Sequence, residues 1–531
     1  MAQTYLSISD LTFTWPDGDP VFDGLDAMFG AGRTGLVGLN GSGKSTLLRL
    51  TAGLLQPDRG SITVAGSLGY LPQSITVDTE RRVDELLGID EVRKALHRIE
   101  SGTADAADFD VVNGRWDIEE RAVALLARLR LDHIVASPEQ LDRAVGTLSG
   151  GETVLLGLTA QLLCEPTVLL LDEPTNNLDL DARLRLYAAV EQFPGTLLVV
   201  SHDRDLLERM DTTAELRNGD LRMFGGNVVE YQRIIDAEQD TARAAVRDAR
   251  SDVRKQGREL VEARIKLDRR KRYGKKMFEQ KREPKIVMGL RKMQAEESAG
   301  KLRNNHIEKL DDAKSSLTEA EEQLRDDREI RVDLPDTQLY SGQHVISLKG
   351  VQLACGPTIT LTVSGPERIA LIGRNGVGKT TLLGAVAAAG PQVPWRFLPQ
   401  RLDIFHDDLS VAENVAREAP HATAEQVRAQ LARFLFRGSD SDVAASGLSG
   451  GEQLRAALAM ILLAEPAPKL LMLDEPTNNL DLPSLAHLTQ ALASYRGALL
   501  VAGHDLPFLR QIGITRWLEL TDDGVAEVDP R

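Results

Sequence analysis

The sequence predicts an α/β chain built from two copies of one domain, joined by a long antiparallel helical hairpin. Three observations predict it. The string LLLDEPTNNLDL at 169–180 returns as LMLDEPTNNLDL at 471–482, 302 positions later and changed at one apolar site. Each copy follows a glycine-rich loop of the form GxxxxGK[ST], GLNGSGKS at 38–45 and GRNGVGKT at 373–380. Between the copies lies a stretch poor in Gly and Pro and dense in charge. The boundaries read as 1–228, 229–332 and 333–531.

The 531 residues are enough for two or three domains, each with its own core. Apolar residues make up 42% and charged residues 27%, an ordinary soluble mixture. The longest uncharged apolar runs are too short to cross a bilayer, and the N-terminus MAQTYLSISD has no basic-then-apolar secretion pattern. Cys164 and Cys355 cannot form a disulfide framework, a four-cysteine zinc site or an iron–sulfur cluster. A cytoplasmic protein without a membrane span is the expectation. The net charge of −16 argues against a surface that binds nucleic acid or anionic lipid everywhere, while leaving room for a local basic region.

The loops come first in chain order. Each follows a short apolar run, GLVGL or IALIG, that reads as a buried strand, and each leads into TLL, a helix start. In that context glycines let backbone N–H groups curl around an anion. Lys44 and Lys379 reach toward β- and γ-phosphates, and the hydroxyls of Ser45 and Thr380 suit magnesium. A glycine-rich turn with an incidental lysine explains one copy poorly and two hardly at all.

The repeated string is the second anchor. Val168–Leu171 and Leu470–Leu473 read as buried parallel strands ending in Asp172-Glu173 and Asp474-Glu475. An aspartate at a strand's C-terminal end, facing a phosphate loop, suits magnesium. The glutamate beside it suits a general base that polarises water. An Asp-Glu pair alone is usually a solvated strand end; here the Pro-Thr-Asn-Asn-Leu-Asp that follows repeats as well. Gln73 in GYLPQ and Gln400 in RFLPQ are placed to touch the metal and its water. His202 and His504 close apolar strands and suit the γ-phosphate. LSGGE at 148–152 and 448–452 offers a helix N-terminus to phosphate, or simply a helix cap.

Spacing ties these pieces together. Lys to Gln is 29 residues in the first half and 21 in the second; Ser149 to Asp172 is 23 and Ser449 to Asp474 is 25; Asp to His is 30 in both. One catalytic domain has been duplicated.

These pieces resemble the Walker A, Q-loop, signature, Walker B, D-loop and switch-histidine motifs of ATP-binding cassette domains, over 1–228 and 344–531. The resemblance implies an ATPase with two P-loop cassettes and ATP and Mg2+ as cofactors. Nucleotide would be held by Gly38, Asn40, Gly41, Gly43, Lys44, Ser45 and Thr46, and by Gly373, Asn375, Gly376, Gly378, Lys379, Thr380 and Thr381. Ser45, Thr380, Gln73, Gln400, Asp172 and Asp474 would serve the metal, and Glu173, Glu475, His202, His504, Gln73 and Gln400 the hydrolysis. The family sandwiches ATP between cassettes, so Ser449 and Gly451 would complete the site of Lys44, and Ser149 and Gly151 that of Lys379. The chain would thus act as a monomer with intramolecular pairing. Family members usually stack adenine on an upstream aromatic residue. Trp15 in LTFTW fits that part or a core position equally, and the matching stretch VQLAC ends in Cys355.

Between the cassettes, Ala242, Val246, Ala249, Val253, Gln256, Leu260, Ala263 and Leu267 alternate by four and three, a coiled-coil seam. Leu310, Ala313, Leu317, Ala320 and Leu324 return it. A first helix over 229–272 is expected, with Gly274 and Pro284 breaking helix at the turn. Residues 264–292 hold thirteen Lys and Arg against Asp268, Glu279 and Glu283, a local charge of +10. Charge runs are usually solvated faces. This one sits at a hairpin tip on an acidic protein, which points to nucleic acid through Arg269, Arg270, Lys271, Arg272, Lys275, Lys276, Lys281 and Arg282, with Tyr273 for stacking.

Two cassettes and a basic helical linker resemble the ABC-F family. The resemblance implies a protein of the 70S ribosome's E site whose linker reaches ribosomal RNA and P-site tRNA, as a housekeeping translation factor or an antibiotic-resistance ribosome-protection factor. Gln73 to Ser149 is 27 residues longer than Gln400 to Ser449, which is room for a family "arm" or an enlarged helical subdomain. The alternatives are a membrane exporter's motor subunit, which needs no basic hairpin, and a DNA-repair ATPase, which usually splits one cassette or carries cysteine-bound zinc. A non-catalytic scaffold would not keep two intact Glu/His sets.

Overall fold

The computed structural model describes residues 4–73, 81–145, 148–176, 178–279, 285–322, 337–354, 356–448, 450–478 and 480–529. The molecule divides into two compact units, Met1–Val229 with Glu329–Arg531, and Glu230–Arg328. Among the described residues no helix is long and apolar enough to cross a membrane.

In the first unit each half is built on a six-stranded sheet with the same topology. The first half orders its strands Leu68–Leu71, Val168–Asp172, Thr196–Val200, Gly32–Val37, Thr212–Arg217 and Asp220–Gly225. The second orders Trp395–Leu398, Leu470–Asp474, Ala498–Ala502, Arg368–Ile372, Arg516–Thr521 and Gly524–Val528. All neighbours are parallel except the last pair of each sheet. Every residue of Val168–Asp172 and Leu470–Asp474 is buried, as expected of strands covered on both faces. The glycine loops sit where a central strand turns into a helix, Lys44–Thr51 or Lys379–Ala388, at the carboxyl ends of the parallel strands.

The unequal spacings have structural causes. The first half carries a three-stranded antiparallel sheet, Pro20–Gly30, Thr4–Thr14 and Arg59–Val64, while the second has two strands, His344–Gln352 and Thr358–Ser364. The added strand Arg59–Val64 lies between Lys44 and Gln73 and accounts for the longer interval there. The surplus before Ser149 includes two short helices, Asp90–Glu100 and Ala106–Val112, clasped by an Arg98–Asp108 ion pair. Arg93, 3% exposed, anchors them by bonding Asp84 (2.7 Å), Glu119 (2.5 Å) and Asp142 (2.6 Å).

The second unit is a pair of long helices, Val228–Glu279 and Lys285–Glu322. At 1.5 Å per residue the first is about 78 Å long. Gly274 does not break it. The helix runs five residues further, since a glycine inside a helix costs only about 1 kcal/mol against alanine and the neighbouring Lys and Arg are good helix formers. Pro284 lies outside the described residues, and the second helix begins just after it. Ala242, Val246, Leu260, Ala263 and Ala313 are buried, and Ala249, Val253, Gln256, Leu267, Leu310, Leu317 and Ala320 half-buried, so the 4–3 alternation marks the seam. Leu324 lies outside the described residues. Arg250 reaches across to Glu321 at 2.7 Å, which fixes the helices antiparallel.

Candidate nucleotide sites

In the first half a cavity of ≈ 360 Å³ is walled by the phosphate loop, Gln73, Glu173, His202 and Trp15. Gly38, Gly41 and Gly43 all have positive φ, and a Cβ on Gly38 would run into the Leu216 carbonyl. Lys44 is buried and turns its ammonium onto Gly38 O and Leu39 O, each at 2.8 Å. Ser45 Oγ donates to Asp172 Oδ1 at 2.9 Å, so a hydroxyl and a carboxylate oxygen converge there, a donor pair that suits Mg2+. Thr46 also lines the cavity. Glu173 stands at φ 48, left-handed backbone held only by its surroundings, and His202 Nε2 lies 3.2 Å from its Oε1. Among the described residues His202 Nδ1 and Ser42 Oγ are buried without a hydrogen-bond partner, which fits a wall made for a polar ligand. Trp15 is half-buried, packs edge-on against Phe13 at 5.1 Å and still faces the cavity.

The second half repeats the plan in a cavity of ≈ 340 Å³. Gly373, Gly376 and Gly378 have positive φ, Thr380 Oγ1 donates to Asp474 Oδ2 at 2.7 Å, and Glu475 takes φ 46. Thr381 and Gln400 are in the wall. Lys379 differs from its twin. Besides Gly373 O (2.9 Å), its ammonium reaches His504 Nε2 (2.7 Å), Asn375 Oδ1 (3.3 Å) and Glu475 Oε1 (3.5 Å). Cys355 lies outside the described residues.

Burial shapes the electrostatics. It pushes Glu173 and Glu475 up, with Lys44 and Lys379 respectively opposing the shift. Burial lowers His202 to about 3 and His504 to about 2, so both imidazoles are neutral at pH 7. The same desolvation lowers Lys44 and Lys379 and raises Asp172 and Asp474. Perturbed groups gathered in a cleft are what a reactive site looks like.

The cassettes meet at these sites. Asp481, in the second half, accepts the Asn40 backbone N–H of the first phosphate loop at 3.1 Å, and a Cβ on Gly450 would stand 3.9 Å from Asn40 Nδ2. Leu178, in the first half, lines the second cavity. Asp179 and Asp481 each cap the helix that follows, at Ala182 N and Ser484 N, while lending negative charge to the opposite loop lysine. Sequence reasoning passed over Leu178, Asp179 and Asp481 as site residues. Their signal was there, in the Asn-Leu-Asp that ends the repeated string.

Ser149 is the N-cap of helix Gly150–Leu163, accepting from Glu152 N at 3.3 Å in a capping box, and is not among the residues lining the second cavity. Gly151 and Gly451 pack beside Ala182 and Ser484 in their own cassettes. Ser449 lies outside the described residues. In the hairpin Arg269, Arg272, Tyr273 and Lys276 are exposed; Arg270, Lys271 and Lys275 belong to the same helix, and Lys281 and Arg282 lie outside the described residues.

Two P-loop cassettes, meeting at both phosphate loops within one chain, define a tandem ATP-binding cassette protein. The ABC transporter family model matches residues 27–176 and 357–478. The probable ATP-binding protein YheS of Escherichia coli K12 is 32% identical over 508 residues, covering 90% of this chain and 73% of its own length. ABC transporter F family member 5 of Arabidopsis thaliana is 28% identical over 540 residues, covering 93% and 72%. Among solved structures, an RNase-L inhibitor superposes with TM-score 0.54 at 18% identity, over 97% of this chain and 90% of that one. A model of ribosome-bound archaeal Pelota and ABCE1 gives TM-score 0.55 at 18%, over 98% and 78%; both likenesses concern the fold. The chain belongs to the ABC-F family.

Proposed function

We propose that the protein hydrolyses ATP at both sites and uses the cycle to act on ribosomes from the cytoplasm. The observation that carries the hydrolytic part is the meeting of the cassettes at the phosphate loops, with Asp481 bonded to the first loop and Leu178 in the wall of the second cavity. The loop residues 38–46 and 373–381 bind the phosphates, and the signature residues Ser149, Gly151, Ser449 and Gly451 approach from the opposite cassette. Trp15 offers adenine a face at the first site. Glu173 and Glu475 orient and deprotonate the attacking water, and neutral His202 and His504 hold it against the γ-phosphate. Ser45 with Asp172, Thr380 with Asp474, and Gln73 and Gln400 would hold Mg2+, which neutralises phosphate charge when bound.

ABC-F membership and the +10 of residues 264–292 support the ribosomal part. Arginine and lysine at the tip neutralise RNA phosphates, and Tyr273 stacks on an unpaired base of ribosomal RNA or P-site tRNA. Replacing Arg269, Arg270, Lys271 and Arg272 by Ala tests this. Each lost phosphate contact should flatten the salt dependence of ribosome binding by about 0.9 in log–log slope. Basal ATPase should hold, and the effect on translation should vanish. An unchanged slope with unchanged action on translation overturns the ribosomal reading, and capture of a membrane protein instead supports an exporter motor.

A further inference from the structure

The two signature helices, Gly150–Leu163 and Gly450–Leu462, each carry a glutamate in the first turn, Glu152 and Glu452. In the first helix Ser149 directs both its donors onto that side chain. Its backbone N–H reaches Glu152 Oε2 at 2.8 Å and its hydroxyl the same oxygen at 2.7 Å. The other carboxylate oxygen, Oε1, lies 2.6 Å from His133 Nε2. Burial works against the charge on Glu152, yet the bonds from Ser149 and His133 hold its carboxyl below the usual range, so it is ionised at pH 7. An ionised carboxylate only accepts, so the imidazole donates to it.

The second signature has a cation on its own helix. Arg455 Nη2 stands 3.9 Å from Glu452 Oε1, while the guanidinium leans over the Phe436 ring at 5.5 Å. In the duplicated frame Arg455 corresponds to Leu155. Phe436 corresponds to Leu131, since each follows a left-handed residue, Leu435 or Arg130. Leu155 and Leu131 are both fully buried apolar side chains, so the first half has no cation at this place. Its donor comes from added chain instead. Pro138, which opens the short helix before the signature, lies eight residues after Arg130, whereas its counterpart Gly438 lies three after Leu435. His133 sits in the extra length.

A helix N-terminus attracts phosphate, and an unbalanced carboxylate in its first turn works against that attraction. We propose that His133 is a positioning residue for the second ATP site: it fixes and balances Glu152, so that the first signature helix presents Ser149 and its N-terminal N–H groups to the nucleotide on Lys379. His133 acts through Glu152 and does not itself meet the nucleotide. Arg455 gives the second signature the same balance with a side chain that is always charged. The inference rests on the signature residues approaching from the opposite cassette, as proposed above.

The full-length protein can be read site by site. Vanadate trapping with 8-azido-ATP, followed by peptide mapping, reports turnover separately on peptides containing 38–46 and 373–381. His133→Ala should lower trapping at the second site about fivefold, the effect of one partly screened charge at a helix end, and change the first less than about twofold. His133→Arg, which keeps a donor and a cation, should retain most second-site trapping. In a Glu152→Gln background, which keeps a capping oxygen without the charge, His133→Ala should cost less than about twofold. If His133 merely anchors its loop, the full loss persists in that background. Loss at the first site, equal loss at both, no loss, an Arg variant as impaired as Ala, or an undiminished loss with Glu152→Gln each overturns the proposal. Ser149→Ala separates this inference from the reading beneath it. That variant should also lower second-site trapping, and parental trapping there would overturn the approach of the signature from the opposite cassette.

Discussion

The two cassettes contain the same reactive side chains and arrange them differently. In the first, Lys44 rests on carbonyls of its own loop, and His202 meets Glu173 through Nε2 while its Nδ1 has no partner among the described residues. In the second, Lys379 donates to His504 Nε2 and approaches Glu475, so lysine, histidine and glutamate form one network. Both histidines turn Nε2 toward the neighbouring glutamate, at 3.2 Å for His202 and 3.3 Å for His504, but only His504 shares that nitrogen with the loop lysine among the described residues. Equal sequence motifs therefore do not mean equal chemistry. The neighbours differ with them: Asn375 Oδ1 stands 3.1 Å from His504 Nε2, and Trp15 walls the first cavity.

The largest effect should come from removing what the halves share. Glu173→Gln with Glu475→Gln should cut ATP turnover by about 10²–10⁴, the range for a lost general base, while ATP still binds. Phosphate release measured beside equilibrium ATP binding checks both parts, and near-parental turnover refutes the assignment.

The next change breaks the first half alone. Arg93 holds Asp84, Glu119 and Asp142 under the added helices, and Arg93→Met leaves the fully buried Asp84 with less compensation. We expect a loss of about 3–5 kcal/mol in the first cassette. Urea unfolding followed by hydrogen exchange should show it in peptides of 81–145 and leave 410–448 unchanged.

The third sharpens the difference between the sites. Base–aromatic stacking is worth about 1–3 kcal/mol, so Trp15→Ala should weaken ATP at the first site by roughly tenfold, and Cys355→Ala should change the second less. Equal effects in a fluorescent-ATP titration would reduce Trp15 to a packing partner of Phe13.

The smallest concerns the contact between halves. Asp481 bonds the opposite loop as well as capping its helix, so Asp481→Asn should raise the ATP concentration needed to close the cassettes by a few-fold, about 1 kcal/mol. Asp179→Asn should do less, and a distance probe across the cassettes would rank the two.

Much of this was legible in the residues. Repetition at a fixed interval revealed the duplicated cassette, because glycine loops, strand-end carboxylates and the switch histidine are each needed at one place along the chain. The hairpin seam was legible for the same reason: apolar period is a local property. Gly274 was misread because helix continuation there depends on its charged neighbours more than on one glycine. What stayed hidden was whatever depends on two distant segments meeting. No local pattern tells that Asp481 reaches Asn40 or that Lys379 bonds His504. Two nucleotide cassettes and a basic hairpin can be read from the residues alone, since motif and period are written in neighbouring positions. How the two sites differ emerges with the packed fold, because hydrogen bonds and buried charge depend on which atoms packing brings within about 3 Å, whatever their distance along the chain.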